Sequence, residues 1–391
     1  MSSPPLSIGI VCFPSLGGSG VIASELAVGL SQRGHRVHLI ATAPPIRSLP
    51  ICDRLSFHEV SMSSYPLFEH APYALALASA IVDVTTEHAL DVLHVHYAVP
   101  HAASAHLARQ ALGPRAPRLV TTLHGTDVTR IGSDPSYRVI TRFTVEASDA
   151  ITVPSEFLKA EAYRLLGIAT DTRIDVVPNF VDTDGFAPPA RREPARLAEL
   201  LVAAGMRADG AWGPVLFHAS NFRPVKRVGD LLEVLARVRV SVPARLVLVG
   251  DGPDRAFAAQ RARDLGIARE VCFLGRRVEF VEYLQHADAF VLSSETESFG
   301  LAALEALSAG VPVCAYRVGG LPEVVTDAVG RLVAPLDVAA LADAVVGVVS
   351  DAATREALGT AARAHAVAHF RREPAFEHYE RVYRRALAGG R

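Results

Sequence analysis

Two carboxylates and two cations carry the densest chemistry in this chain. Glu297 and Glu305 lie in the segment Ser293-Ser294-Glu295-Thr296-Glu297-Ser298-Phe299-Gly300-Leu301-Ala302-Ala303-Leu304-Glu305, which closes at Gly310-Val311-Pro312. Ser298 has the chemistry of a helix N-cap, and Gly310 with Pro312 that of a stop, so a helix is predicted over 299–309. Glu297 then stands just before the helix and Glu305 about two turns along it, on the order of 12 Å away by helical rise. That is too far to share a proton, and unlike the carboxyl pair of a retaining hydrolase at about 5 Å. Carboxylates so placed suit different parts of one long ligand, each accepting hydrogen bonds from a vicinal diol. A glutamate on a helix is usually a solvated face residue; Leu301, Leu304 and Leu307 around Glu305 make that reading less comfortable here.

The cations are Arg223 and Lys226, in His218-Ala219-Ser220-Asn221-Phe222-Arg223-Pro224-Val225-Lys226-Arg227. A forked guanidinium beside a point-charge ammonium suits a diphosphate, and the pair follows a strand, where α/β sheets place ligands. The plain alternative is a solvated basic turn. A third segment, Phe13-Pro14-Ser15-Leu16-Gly17-Gly18-Ser19-Gly20, leads into a helix predicted to begin at Val21. Its glycines permit close backbone approach, and a helix N-terminus offers N–H groups to an anion. It is not the dinucleotide pattern, because the GxGxxG spacing is missing and the second strand closes Leu39-Ile40-Ala41-Thr42 without an acidic residue.

These segments need a frame, and the hydrophobic pattern supplies it. Short apolar strands are predicted at 8–12, 37–40, 92–96, 119–123, 150–153 and 174–177, with helices at 21–33, 73–88 and 102–112 between them. After a Pro-, Ala- and Arg-rich stretch over 183–213, a second series runs through 215–218, 246–249, 271–273, 289–292 and 313–315. This alternation predicts an α/β fold of two Rossmann-like, doubly wound domains facing each other across a cleft. The first spans 1–180, with a terminal helix near 371–391 packing back on it through Phe370, Phe376, Tyr379 and Tyr383; the second spans 181–370.

Bulk properties narrow the function classes. At 391 residues, 50% hydrophobic and 20% charged, the chain is a two-domain globular protein rather than a disordered one. A net charge of −2 gives no general field for nucleic acid or an anionic membrane. Cys12, Cys52, Cys272 and Cys314 show no metal-like spacing and are expected to be reduced thiols, mostly buried. With no signal-like start and no spanning apolar run, the expected location is the cytoplasm, without stable membrane association.

In order along the chain, the motifs resemble those of the retaining family-4 glycosyltransferases of GT-B fold. They are the glycine loop, Leu123-His124-Gly125-Thr126-Asp127, Val177-Pro178-Asn179-Phe180-Val181-Asp182, the Arg223/Lys226 pair, Val249-Gly250-Asp251-Gly252-Pro253 and the Glu297–Glu305 segment. Within that family, Cys12 to Val21, His94-Val95-His96-Tyr97-Ala98-Val99-Pro100-His101, Thr121 to Asp127 followed by Gly132-Ser133-Asp134-Pro135, and Ser220 to Arg227 resemble the branch that joins N-acetylglucosamine to L-malate in bacillithiol biosynthesis. Pro154 is a departure, where a smaller residue is more usual.

The resemblance implies that UDP-GlcNAc is the donor and the 2-hydroxyl of L-malate the acceptor. Arg223 and Lys226 would clamp the diphosphate, and Glu305 would hold the ribose. Glu297 and Ser298, with the N–H groups of Phe299, Gly300 and Leu301, would hold the sugar. Arg276 and Val278 would frame the uracil, Gly17 and Gly18 would let the first loop approach the diphosphate, and His124 would sit near the reacting face. Ser19, Tyr97, Thr122 and Arg142 would meet malate. It implies no cofactor and no obligatory metal, and leaves a homodimer open. Another family-4 transferase with a small-molecule, glycan or lipid acceptor is the nearest alternative; a UDP-sugar epimerase is the alternative from another class.

Overall fold

The computed structural model of the protein describes residues 4–14, 17–44, 52–62, 70–190, 192–206 and 212–389. Ser15 and Leu16 of the glycine loop, the chain ends at 1–3 and 390–391, and parts of the proline-rich stretch (191, 207–211) lie outside the described residues. The chain divides into two compact units, Met1–Asn179 with Glu373–Arg391, and Phe180–Arg372.

The first unit runs β1 (Ser7–Val11), α1 (Gly18–Gln32), β2 (Arg36–Ala41), β3 (Leu55–Glu59), α2 (Tyr73–His88), β4 (Val92–His96), α3 (Ala103–Leu112), β5 (Arg118–Thr122), α4 (Pro135–Glu146), β6 (Ala150–Val153), α5 (Glu156–Leu166) and β7 (Ile174–Val176). All its strand pairs are parallel, in the order β3-β2-β1-β4-β5-β6-β7. Strands β1 and β4 are buried at every position, which is why they read as continuous apolar runs rather than alternating ones.

The second unit runs α6 (Pro194–Ala203), β8 (Val215–Ala219), α7 (Val228–Val238), β9 (Arg245–Val249), α8 (Arg255–Asp264), β10 (Val271–Gly275), α9 (Val281–Gln285), β11 (Ala289–Leu292), α10 (Leu301–Ser308), β12 (Val313–Tyr316), α11 (Leu321–Val324), β13 (Gly330–Val333), α12 (Val338–Val349) and α13 (Ala352–His369). Its sheet is also parallel, in the order β10-β9-β8-β11-β12-β13. The strand order reverses between β1 and β4 in one sheet and between β8 and β11 in the other. A crevice opens at the carboxyl ends of strands at such a reversal, so each sheet sets out one place for a ligand.

The last helix, α14 (Arg372–Leu387), belongs to the first unit from Glu373 onward. Phe376, Tyr379, Val382, Tyr383 and Ala386 form its buried face. Phe376 lies against Gly29 of α1, where an added Cβ would meet its ring at 2.1 Å. The Tyr383 hydroxyl is 2.8 Å from His94 Nδ1 on β4, and Arg33 forks onto Glu380 at 2.8 and 3.0 Å. Phe370, expected on the same face, lies before the helix; it closes α13 and meets Phe299 edge-on at 5.8 Å within the second unit.

Two strands escaped the hydrophobic pattern, β3 and β13. Both are outer strands and mostly half-buried, and β13 opens with a glycine. The four cysteines are free thiols; Cys12, Cys272 and Cys314 are buried and Cys52 half-buried. Burial pushes the Cys272 thiol up to about 11, and those of Cys12 and Cys314 to about 12. Among the described residues, no helix is long and apolar enough to cross a membrane.

Candidate active site

In the second unit, the loops after β8 and β11 flank the strand-order reversal and are bonded to each other. Glu295 N–H donates to Val225 O at 2.8 Å, and Ser293 Oγ donates to the carbonyls of Lys226 and Arg227, each at 3.0 Å. The chain turns sharply to make this fit, with Phe222 and Arg227 both at positive φ (36° and 47°). Phe222 is wholly buried beneath the loop, and Arg227 is held by a two-pronged contact with Asp230 at 2.7 and 3.0 Å. These anchors leave Arg223 exposed, with no side-chain hydrogen bond or ion pair among the described residues.

Lys226 is placed differently. Its ammonium donates to Glu297 Oε1 at 2.5 Å, and Ser294 Oγ donates to the same oxygen at 2.7 Å. The two side chains of the ion pair are only 20% and 12% exposed, so solvent weakens it less than it would a surface contact. The cation expected at the diphosphate and the carboxylate expected at the sugar therefore meet directly, one from each loop.

Glu297 is fixed from behind by a segment that sequence reasoning passed over, Val318-Gly319-Gly320 after β12. Gly320 N–H donates to Glu297 O at 2.9 Å, and an added Cβ on Gly319 (φ +55°) would lie 1.9 Å from that oxygen. A Gly-Gly pair directly after a strand was the available signal. Gly250 does similar work on the neighbouring loop: at φ +121°, its added Cβ would meet Ser220 O at 1.7 Å. His218 ties β8 to β11, with Nδ1 2.9 Å from Val291 O and Nε2 2.8 Å from Ser220 Oγ. Burial pushes its pKa down to about 4, so it stands there neutral.

The helix carrying Glu305 starts later than expected. Gly300, not Ser298, occupies the N-cap position, at φ 97°, and an added Cβ there would meet Leu321 Cδ1 at 2.5 Å. Only the left-handed backbone of a glycine fits, so Ser298, Phe299 and Gly300 form a loop and Leu301 opens the helix. Of the three amides expected to bind sugar, one belongs to the first turn of α10. Glu305 is 7% exposed on the same helix, against the ordinary solvated-face placement. Arg276 and Val278 follow β10; Arg276 is 70% exposed and 3.8 Å from Asp251, and Val278 is 43% exposed.

In the first unit, Gly17 caps α1 and Gly18 already begins it, so Gly18 and Ser19 stand in its first turn rather than in a preceding loop. First-turn N–H groups lack partners within a helix and suit an anion. Across the strand-order reversal, Tyr97 follows β4 at φ 89°, a conformation a non-glycine residue holds only under constraint. Its ring lies 5.6 Å from Phe13 and 5.3 Å from His124. Asp127, fully buried, accepts the N–H groups of His124 (3.0 Å), Gly125 (2.9 Å) and Ala98 (3.3 Å), tying the turns after β4 and β5. Burial outweighs those bonds and pushes its pKa up to about 6.

His124 is linked to His96 at 2.9 Å (Nε2 to Nδ1), and burial pushes it down to about 3, so its ring is neutral near pH 7. Two residues predicted to meet malate are used otherwise. Thr122 is 2% exposed, and its hydroxyl lies 2.6 Å from His94 Nε2 and 2.5 Å from Thr152 Oγ1, so its polar capacity is spent inside the fold. Arg142 pairs with Glu146 at 2.9 Å on exposed α4, beside Gly167 at the end of α5. That helix end precedes β7 and lies toward the amino ends of the strands, away from Tyr97 and Ser19.

Two family profiles match in succession, "Glycosyltransferase Family 4" over residues 16–185 and "Glycosyl transferases group 1" over 212–365. The chain is 40% identical to the N-acetyl-alpha-D-glucosaminyl L-malate synthase of Bacillus anthracis, over 97% of this chain and 96% of that protein. The chain belongs to the family-4 glycosyltransferases. It is a sugar-transferring enzyme, and its two parallel-sheet units are those of the GT-B fold. More distant members include a D-inositol 3-phosphate glycosyltransferase of Xylanimonas cellulosilytica, 30% identical over 89% of this chain and 87% of that one. Solved structures of the same fold include the sucrose-phosphate synthase of Thermosynechococcus elongatus (TM-score 0.79, 21% identity, 98% of this chain and 100% of that one). Another is Anabaena HepE in complex with UDP and glucose (TM-score 0.76, 20% identity, 96% and 98%).

Proposed function

We propose that this family-4 transferase moves N-acetylglucosamine from UDP-GlcNAc to the 2-hydroxyl of L-malate, with retention at the anomeric carbon and release of UDP, as a cytoplasmic step of bacillithiol biosynthesis. The similarity to the Bacillus anthracis enzyme along nearly the whole of both chains carries the choice of substrates. In this reading the second unit holds the donor. Arg223 and Lys226 take the diphosphate, Glu305 the ribose hydroxyls, Arg276 and Val278 the uracil, and Glu297 with Ser298 to Leu301 the sugar. The first unit holds the acceptor, with Ser19, Tyr97 and His124 as its polar contacts and Gly17 and Gly18 admitting the diphosphate.

The Lys226–Glu297 contact suggests how the donor is received. Without donor, each charge satisfies the other; an arriving diphosphate draws the ammonium away and leaves the carboxylate to accept sugar hydroxyls. As the glycosidic bond breaks, negative charge grows on the β-phosphate oxygens, where the two cations oppose it. That phosphate takes the proton of malate's 2-hydroxyl while the malate oxygen attacks the same face of the sugar. The bond formed and the bond broken share one face, which gives retention without a protein nucleophile.

The deciding experiment incubates the enzyme with UDP-GlcNAc, alone and with L-malate, and follows UDP release and the anomeric proton of the product. Malate-dependent UDP release with an α-linked product is expected. Release indifferent to malate would refute the acceptor assignment, and a β-linked product would refute retention.

A further inference from the structure

Three histidines outside the active site meet at one point of the first unit. In the parallel register of β2 and β3, His38 pairs with Ser56 and Ile40 with His58. Alternate strand residues share a face, so His38 and His58 rise from the same side of the sheet as diagonal neighbours. Ile40, on that side, packs with Leu77, Ala78, Ile81 and Val84 of α2, so this is the side that α2 covers. The last residue of α2 is His88, which completes the group.

The nitrogens converge. His38 Nδ1 lies 3.0 Å from His58 Nε2, and one donor nitrogen of each ring lies within 4.8 Å of the others. Ring centroids are 5.2 Å apart for His38–His58, 5.2 Å for His58–His88 and 4.2 Å for His38–His88. Two ligands held at about 2.0–2.1 Å from one tetrahedral ion stand roughly 3.4 Å from each other, between the 3.0 Å His38–His58 contact and the 4.8 Å within which all three nitrogens lie. His38 is 6% exposed, while His58 and His88 are half-buried, so the group is reachable at its rim.

A hydrogen bond accounts for the His38–His58 contact, and His88 joins the group by stacking on His38. Burial, then His88, His58 and Arg36, push His38 down to about 4; burial and His88 lower His58, Glu87 opposing. The C-terminal end of α2 points its partial negative charge here, which favours a cation. Glu87, on the same turn, is 3.7 Å from His88 and 73% exposed, leaving the remaining coordination position to water or to this carboxylate.

We propose that His38, His58 and His88 form a binding site for a single divalent transition-metal ion of the zinc class. An all-imidazole donor set selects Zn²⁺, Co²⁺, Ni²⁺ or Cu²⁺ over Mg²⁺ and Ca²⁺, which prefer oxygen. His88 ends the helix that precedes β4, and its carbonyl accepts the Ser7 hydroxyl at the start of β1 at 3.2 Å. The site therefore lies toward the amino ends of the strands, opposite the loops that carry Ser19 and Tyr97. Its role is to brace β2 and the outer strand β3 against α2, not to take part in sugar transfer.

The test uses full-length protein free of any histidine tag, titrated with Zn²⁺ against a chromophoric chelator and, separately, with Co²⁺ by visible absorption. One equivalent of Zn²⁺ is expected, with tetrahedral-type d–d bands for Co²⁺ and no competition from millimolar Mg²⁺. His58→Gln and His88→Gln should each weaken Zn²⁺ binding by about 100-fold or more while leaving UDP release unchanged, because three ligands are needed to hold the ion. Absence of a stoichiometric Zn²⁺ site in the wild-type protein overturns the proposal. So does Zn²⁺ binding of wild-type strength in both variants, which would send the ion to another histidine group. Should either variant fail to fold, the wild-type Co²⁺ spectrum still decides, since a six-coordinate, water-like spectrum excludes a three-imidazole tetrahedral site.

Discussion

Replacing Lys226 with alanine separates the catalytic from the structural worth of one ammonium group. Its contact with Glu297 Oε1 is short, 2.5 Å, but both side chains keep some exposure, 20% and 12%. Removing one partner of a wholly buried pair costs about 3–5 kcal/mol, and an exposed pair is worth about 1 kcal/mol or less. Ser294 Oγ still donates to the orphaned carboxylate at 2.7 Å. A stability loss of about 1–3 kcal/mol follows, or a Tm lowered by roughly 2–12 °C for units of this size. The catalytic loss should be larger. A preorganised group aimed at charge that grows in the transition state is worth about 10²–10³ in kcat, near 3–4 kcal/mol.

The assay is UDP release with UDP-GlcNAc and L-malate varied independently. The expected pattern for Lys226→Ala is kcat down 10²–10³-fold with malate KM within about threefold of wild type, because in the proposed reading the lost charge serves the diphosphate and not malate. A double-mutant cycle with Glu297→Gln should show stability losses that fall short of additivity by about 1–2 kcal/mol, since both changes delete the same contact. If kcat at saturating donor stayed within threefold of wild type while stability fell as stated, Lys226 would be a structural cation only. The clamp would then rest on Arg223 alone.

Two further outcomes follow from the geometry. Gly319→Ala should cost about 2–4 kcal/mol and raise donor KM, because its new Cβ is driven into Glu297 O; wild-type stability in urea would refute the tight approach. Acid should loosen the first unit before the second. His94, His101 and His124 are pushed down to about 3, 4 and 3, and His96 also well below its ordinary value, whereas His218 is the strongest such case in the second unit, at about 4. These groups are neutral when folded and take protons on unfolding, so stability present above about pH 6.5 is lost as pH falls toward 4, by about 2 kcal/mol per histidine at pH 5. Asp127, raised to about 6, opposes this between about pH 6 and 4. Trp212, the single tryptophan, reports the second unit, so circular dichroism should begin to fall at a higher pH than its fluorescence changes; coincident transitions would count against the ordering.

Much of the scaffold was legible because buried parallel strands must be apolar on both faces. That signal fails at the outer strands: β3 carries Ser56, His58 and Glu59 on a mostly half-buried ribbon, so neither continuous apolarity nor clean alternation marks it. The identity of the charged groups was legible too, as cations after β8 and carboxylates around α10. Their pairing was not. Lys226 and Glu297 are 71 positions apart, and only the adjacency of β8 and β11 brings their loops together. Ser298 misled for a local reason: serine favours an N-cap, but the chain before α10 is drawn toward Gly319 and Gly320, and Gly300 takes the turn. The resemblance put Thr122 at malate, and nothing in the sequence says that His94 and Thr152 lie beside its hydroxyl. Arg142 had only its charge to recommend it.

Helix α14 sets an order on the making of this molecule. The sheet that holds Ser19, Tyr97 and His124 is translated before the second unit, yet the wall that covers His94 and Gly29 is translated after it. A nascent chain therefore presents much of the second unit while the first still shows an apolar face where Phe376, Tyr379 and Tyr383 will dock. During that interval the exposed face is open to chaperones, or to another nascent copy of the same helix. The enzyme's earliest-made sheet is thus the last part of it to mature.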